Sequence, residues 1–239
     1  MIELNPRASR TVPFSSEASG VPLARLAAQI MAGSKIRDMD LPPEFATPGY
    51  FAVKEAVMPW SRFPGADVRL GPEMKSTGEV MGVAATFPEA FWKTRQAIDY
   101  EMPREGTVFV SVRDQDKRSI APVAFLLSRM GYRLLATQGT AKTLSAAGID
   151  CEVVRRIGQG HPDVRDVIAE DGVSFIINTP HGHDSHGDGS ILRSEAVSRG
   201  ITSVTTMSGA VALTQALAIM GEGGDMEVHA LQDLHRWHD

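Results

Sequence analysis

Cysteine is almost missing: Cys151 is the single one in 239 residues. One thiol excludes an internal disulfide framework and fits a reducing compartment, so the cytoplasm is the expected location. Cys151 opens the apolar stretch Cys151-Glu-Val-Val, where it reads as a small core residue rather than a nucleophile. Long hydrophobic runs are missing too. No stretch approaches the roughly 18 apolar residues of a membrane span, and no membrane partner is expected. The first residues lack the charged, apolar, small-residue succession of a secretory signal. Excess positive charge is also lacking. The net charge of -5 argues against a nucleic-acid partner. What remains, 43% hydrophobic and 22% charged residues, is an ordinary soluble composition long enough for one large or two small domains.

The second half of the chain has a βα rhythm. Short apolar runs at residues 108–112, 132–136, 152–155, 175–178 and 203–206 alternate with helical patterns at 116–130, from 140, 163–170, 189–199 and 209–220. Such alternation predicts an α/β fold: a five-stranded parallel, Rossmann-like sheet covered on both faces. The organising stretch is Tyr132 to Gly148. Leu134, Leu135 and Ala136 form a strand, Thr137, Gly139 and Thr140 a polar turn, and Ala141 to Ala147 a helix with Gly148 at its C-cap. A helix that follows a strand aims its free N–H groups and positive dipole end at the crevice above the sheet. Two hydroxyls and a glycine there make a small anion cradle, or an ordinary βα turn with a threonine cap. Lys117, Thr137, Thr140, Arg156, Asn178 and Thr179 all fall at the carboxyl ends of strands, where such sheets bind ligands. A lysine, an arginine and a threonine-glycine turn converging there suit a phosphate monoester.

The first half reads differently. Residues 2–7 alternate apolar and polar, as a strand does, and open as though a domain were already under way. Glu3 and Asn5 share a face of that strand. Their oxygens suit a magnesium ion that keeps water and phosphate as its other ligands, or belong to a solvated edge strand. Arg7 lies on the same face and Arg10 follows. Leu23, Leu26, Ala27, Ile30 and Met31 keep helical spacing that Gly33 stops. Residues 51–58 read as a strand, 59–70 as a loop, 75–78 as a tight polar segment, and 88–97 as a helix entered through Pro88. The polar, turn-rich residues 99–106 mark the expected boundary between a domain of residues 1–99 and one of residues 100–239.

Glu3–Phe14, Gly20–Leu23, Met31–Gly33, Val53–Val57, Phe63–Gly65 and above all Leu70–Gly82 resemble the end of the second ATP-grasp unit of the carbamoyl-phosphate synthase large subunit. Ser111-Val-Arg-Asp-Gln-Asp-Lys117, Ala136-Thr-Gln-Gly-Thr140, Ile176-Ile-Asn-Thr179 and Thr205-Thr206 resemble the methylglyoxal-synthase-like regulatory domain that closes that subunit. The resemblance covers essentially the whole chain. It implies an incomplete α+β ATP-grasp remnant followed by the effector domain. In the intact relative, carbamoyl phosphate is made from bicarbonate, glutamine-derived ammonia and two ATP, with Mg2+ or Mn2+, for arginine and pyrimidine synthesis. By motif, Glu3 and Asn5 would be two metal ligands, and Arg7 and Arg10 would face the phosphorylated intermediate.

The same resemblance implies that Lys117, Thr137, Gly139, Thr140 and Asn178 contact a nucleotide effector such as UMP or IMP, with Thr179 in the same crevice. Arg156 stands where the family often has lysine and keeps the charge. Pro180 stands where some members have threonine, which removes a ligand hydrogen bond. Some members also bind ornithine. Glu55 and Thr205 match that site, but Val204 replaces an acidic residue, which weakens an amine site. The enzymatic relative of the regulatory fold, methylglyoxal synthase, needs a Gly-Gly-Asp turn after the third strand, where this chain reads Gly158-Gln-Gly-His-Pro-Asp163. His181-Gly-His183-Asp-Ser-His186-Gly-Asp188 nearly spells a hydrolytic zinc pattern, but Ser185 occupies an aspartate place. It is expected to be a polar loop over the crevice.

The upstream lid, the nucleotide-contacting lysine and the third metal ligand of the ATP-grasp unit are not in this sequence. The isolated chain is therefore expected to bind no cofactor tightly and to make no carbamoyl phosphate. Its expected partners are the upstream part of the large subunit and a glutaminase small subunit. The alternative is a stand-alone effector-binding module without catalysis.

Overall fold

A computed structural model describes residues 8–39, 41, 48–58, 74–98, 103–170, 172–179, 188–221, 227–230 and 233. The chain divides into two compact units, residues 1–56 with 78–99 and 225–239, and residues 57–77 with 100–224.

In the first unit, helix α1 (Thr11–Ser19) ends at Gly20, whose φ of 72° supplies the left-handed turn. Helix α2 (Leu23–Met31) follows, as the spacing of its apolar residues predicts. The sequence reading put one helix in this region, and the structure adds α1, whose weak apolar periodicity leaves little to read. Strand β1 (Phe51–Val57) pairs with β2 (Gly78–Ala84) in a two-stranded sheet. Strand β2 was not anticipated, because two glycines in seven residues weaken its strand signal. One of those glycines has a packing reason. A Cβ at Gly82 would stand 2.1 Å from the Ala90 carbonyl oxygen, so only glycine lets helix α3 (Phe87–Ala97) lie this close to the strand. Pro88 opens α3, where its missing N–H costs nothing.

The second unit holds a parallel sheet in the order β5-β4-β3-β6-β7, with β3 (Thr107–Ser111), β4 (Arg133–Thr137), β5 (Glu152–Val154), β6 (Phe175–Asn178) and β7 (Thr202–Val204). This is the α/β architecture expected from the alternation. Central strand β3 is registered so that Phe109 pairs with Leu135 on one side and Ile176 on the other. These three residues share a core with Val154, with Val164 and Ile168 of α6 (Val164–Ala169), and with Leu192 and Ala196 of α7 (Asp188–Ser198). Residues of the opposite parity, including Val108, Val110 and Leu134, are equally buried. Their side of the sheet belongs to α4 (Lys117–Arg129), which packs with α5 (Gln138–Ala146) and α8 (Met207–Gly221). Among the described residues no helix is long and apolar enough to cross a membrane.

Helix α5 starts two residues earlier than the sequence implied. No separate turn exists: β4 runs to Thr137, Thr137 is the N-cap, and Gln138, Gly139 and Thr140 form the first helical turn. Glycine and β-branched threonine are poor helix formers, which is why propensity alone placed the start too late. The C-terminal end agrees with the sequence. Gly148 has φ 74°, its N–H bonds Ser145 O, and Ile149 N–H bonds Leu144 O, a pair of bonds that satisfies the last carbonyls and turns the chain toward β5. The same pair at Gly131 and Tyr132 leads α4 into β4.

Phe109 is 1% exposed at the centre of the sheet. Phe109→Ala is expected to lower the unfolding free energy by about 3–5 kcal/mol in a urea titration. A loss under 1 kcal/mol would show that this layer does not hold the unit together.

Candidate functional site

The sheet reverses its winding direction between β3 and β6, so a crevice opens above the carboxyl ends of these strands. Hydrogen bonds at the strand ends set its floor. Thr140 Oγ1 accepts the Val112 N–H at 3.3 Å, and the Thr137 hydroxyl lies 3.2 Å from Ser111 Oγ and 3.4 Å from Thr140 Oγ1. Both threonines are buried, at 3% and 1% exposure. The Thr140 hydroxyl accepts from the Val112 N–H and still has its own hydrogen to donate.

Lys117 opens α4. A Cβ at Gly139 would stand 3.2 Å from Lys117 Nζ, so the ammonium lies against the first turn of α5 because that residue is glycine. Lys117 also pairs with exposed Asp114 at 2.6 Å, a contact that costs little to exchange for an anion. Gly139 and Gln138 line a cleft of about 470 Å3 together with Val153, Val154, Arg155, Arg156 and Gln159. Lys117, Thr137, Gly139 and Thr140 therefore come together in one cradle, and Arg156 shares the cleft beside it. An ammonium, hydroxyl donors, a helix N-terminus and the Arg156 guanidinium suit a phosphate-bearing ligand.

Asn178 and Thr179 reach the same strand ends but are first engaged in structure. Asn178 donates from Nδ2 to Ser111 O at 3.2 Å and accepts at Oδ1 from Arg193 at 3.0 Å. Thr179 Oγ1 accepts the Arg113 N–H at 3.0 Å. Burial lowers the pKa of Arg193, and Asn178 is its neutral partner. Ser111, Arg193, Arg155 and Gln159 were not singled out as site residues. Ser111 lay in plain view as the last residue of an apolar strand. Arg193 carried no signal, because only the packing of α7 brings it to β6.

The remaining candidates lie elsewhere. Glu3, Asn5, Arg7 and the loop His181–His186 fall outside the described residues. Arg10 is the N-cap of α1 and lines a cavity of about 630 Å3 within the first unit, along with Lys54, Glu79 and Lys93. Glu55 is held by Arg95 and by the Thr94 hydroxyl at 3.2 Å, so its carboxylate is already neutralised by a half-buried guanidinium. Thr205 is exposed just beyond β7. Neighbouring Thr206 caps α8, accepting the Gly209 N–H at 3.1 Å.

His161, Asp163 and Asp166 gather within 4.8 Å of one another, but their bonds close the loop that enters α6. Asp163 accepts from Arg165 N at 2.8 Å and Gly158 N at 3.3 Å, and Asp166 accepts from Asp163 N at 2.7 Å and pairs with His161 Nδ1 at 2.7 Å. Asp163 is thus a buried helix cap, where a catalytic aspartate would need to meet substrate.

This sheet and cradle define an MGS-like domain, and the sequence model of that family matches residues 119–205. A second model, the ATP binding domain of the carbamoyl-phosphate synthase L chain, matches residues 1–39. Over nearly its whole length the chain is similar to proteins named carbamoyl phosphate synthase large chain, one of them a C-terminal section. It is 46% identical over 99% of its length to the "Carbamoyl phosphate synthase large chain, C-terminal section" of Methanopyrus kandleri, of which it covers 44%. It is 47% identical over 98% of its length to the large chain of Methanothermobacter thermautotrophicus, and 46% identical over 98% to that of Rubrobacter xylanophilus, covering 22% of each. The chain thus spans less than half the length of these relatives. Matches that run through both units do not favour a stand-alone effector module.

Two outcomes test this geometry. The hydrogen bond to Asp166 raises the His161 pKa above 6.5, and the Asp163 N–H, then His161, lowers that of Asp166 below 3.8. His161 contributes its stabilisation fully below pH 6.5 and loses it as pH rises through its raised value. Asp166 contributes above pH 3.8 and loses it as pH falls through its lowered value, so the pair acts fully between these limits. In an NMR titration His161 is expected to titrate above 6.5 and to fall back toward it in Asp166→Asn. Glu55→Ala should cost about 1–3 kcal/mol, because it leaves the Arg95 guanidinium without its carboxylate. A thermal scan indistinguishable from wild type would show that the pair is not structural.

Proposed function

We propose that this chain is the C-terminal part of a carbamoyl-phosphate synthase large subunit, and that its second unit binds a nucleotide effector by its phosphate. The carrying observation is the convergence of the Lys117 ammonium, the glycine first turn of α5 and the buried Thr137–Thr140 hydroxyls beside a cleft lined by Arg156. A phosphate monoester there would lie on the N-terminal amides of α5 and meet Lys117 and Arg156, with the nucleoside along the cleft. UMP and IMP have the right chemistry. Asn178 and Thr179 support this site by holding the ends of β3 and β6 in place.

On this reading the first unit completes an ATP site with upstream large-subunit residues. Glu3 and Asn5 would hold Mg2+ or Mn2+, which neutralises phosphate charge during transfer. Arg7 and Arg10 would face the acyl phosphate. A glutaminase small subunit supplies ammonia, and the assembly works in the cytoplasm. Domains of residues 1–99 and 100–239 would carry these two tasks, apart from residues 57–77 and 225–239, which each group with the opposite unit. An amine effector such as ornithine would be held more weakly by this chain, because Glu55 already pairs with Arg95 and Val204 offers no charge.

Calorimetry on the purified chain tests the effector site. UMP or IMP is expected to bind in the micromolar range, with at least tenfold weaker binding in Lys117→Ala and Thr140→Ala, a loss of about 1.4 kcal/mol or more. Folded wild-type protein that binds neither nucleotide would overturn the reading.

A further inference from the structure

We propose that Arg155 is a specificity residue of the cleft and gives it a preference for nucleotides carrying a second phosphoryl group over the corresponding monophosphates. The proposal rests on the nucleotide reading of the cleft.

Two adjacent arginines line this cleft, and none of its lining residues carries a carboxylate. A dianionic monoester in the cradle already has Lys117 and Arg156 as counter-charges. The charge of Arg155 is then in surplus, and a third negative charge on the ligand would use it. Register places it well. Val154 pairs with Thr137, so Arg155 stands one residue beyond the level of the α5 N-cap, about 4.8 Å away in the strand-to-strand direction. Side-chain alternation puts Arg155 on the face of Val153 and Cys151, and Cys151 Sγ lies 3.9 Å from Ala141 O of α5. Arg155 is therefore on the side of the sheet from which α5 presents its first turn, whereas Val154 turns into the opposite core.

The arginine is also anchored. Its NH1 donates to His161 O at 2.6 Å, and its carbonyl accepts the Val164 N–H at 3.1 Å. Gln159 N–H bonds Arg156 O at 3.1 Å. These bonds close residues 155–164 into a fixed wall. One of five guanidinium N–H donors is spent on that anchor, and the remaining fork suits phosphoryl oxygens.

The test is calorimetry of UMP and UDP on the full chain, in wild type, Arg155→Gln and Arg155→Lys. Wild type is expected to bind UDP roughly five- to tenfold tighter than UMP. Arg155→Gln should bring that ratio to about one while leaving UMP affinity within about twofold, and Arg155→Lys should retain most of the preference. UMP binding without a UDP preference in wild type overturns the proposal and leaves the effector site standing. Equal losses for both nucleotides in Arg155→Gln also overturn it, since they would make Arg155 only a wall of the loop. Binding of neither nucleotide by folded wild type overturns the effector reading together with this proposal.

Discussion

The crevice of the second unit depends on buried hydroxyl groups that join neighbouring strand ends. Where β3 stops, the N–H of Val112 has no ladder partner, and burial makes an unpaired amide expensive. Thr140 accepts it from the first turn of α5, and Thr137 and Ser111 extend the contact across β4 and β3. The interaction closes the sheet's upper edge and fixes where α5 begins. It thereby fixes where the helix amides point, and Gly139 leaves room for the Lys117 ammonium beside them. The atoms that meet this stability requirement are also those of the proposed cradle. Thr179 and Asn178 do the corresponding work across the β3–β6 gap.

The first unit obeys a different constraint. Its two-stranded sheet is too small to bury a face by itself and relies on α3. Close approach comes from Gly82, and Glu55 of β1 pairs with Arg95 of α3, while Lys54 pairs with Glu79 between the two strands. That pairing bears on the reading of Glu55. A carboxylate that could have attracted an amine is held by a neighbouring guanidinium.

Much of the second unit was legible in the chain. Apolar runs of strand length separated by helical patterns have few packings, and the right-handed crossover rule leaves helices on both faces of a parallel sheet. Lys117, Thr137, Gly139, Thr140 and Arg156 could be gathered because parallel topology sends every strand's carboxyl end to the same edge. Boundaries were less legible. Thr137, Gly139 and Thr140 look like a turn by propensity, yet hydrogen bonding at the strand ends draws them into the helix. Strand β2 escaped because its glycines answer to α3, a neighbour that local pattern cannot show.

Sequence alone determined the fold class of the second unit and the similarity of the whole chain to the carbamoyl-phosphate synthase large subunit. Periodicity and motif are properties of neighbours along the chain, so they survive reading without coordinates. Tertiary structure decided which side chains have capacity left for a ligand. Glu55 is consumed by Arg95, Asp163 by the cap of α6, and Asn178 in large part by Ser111 and Arg193. Lys117 and Arg156 keep a charge facing the first turn of α5 or the cleft beside it. Such commitments are made between residues 15 to 67 positions apart, except for the local cap at Asp163, and hydrogen-bond capacity is exhausted by partners in space rather than in sequence.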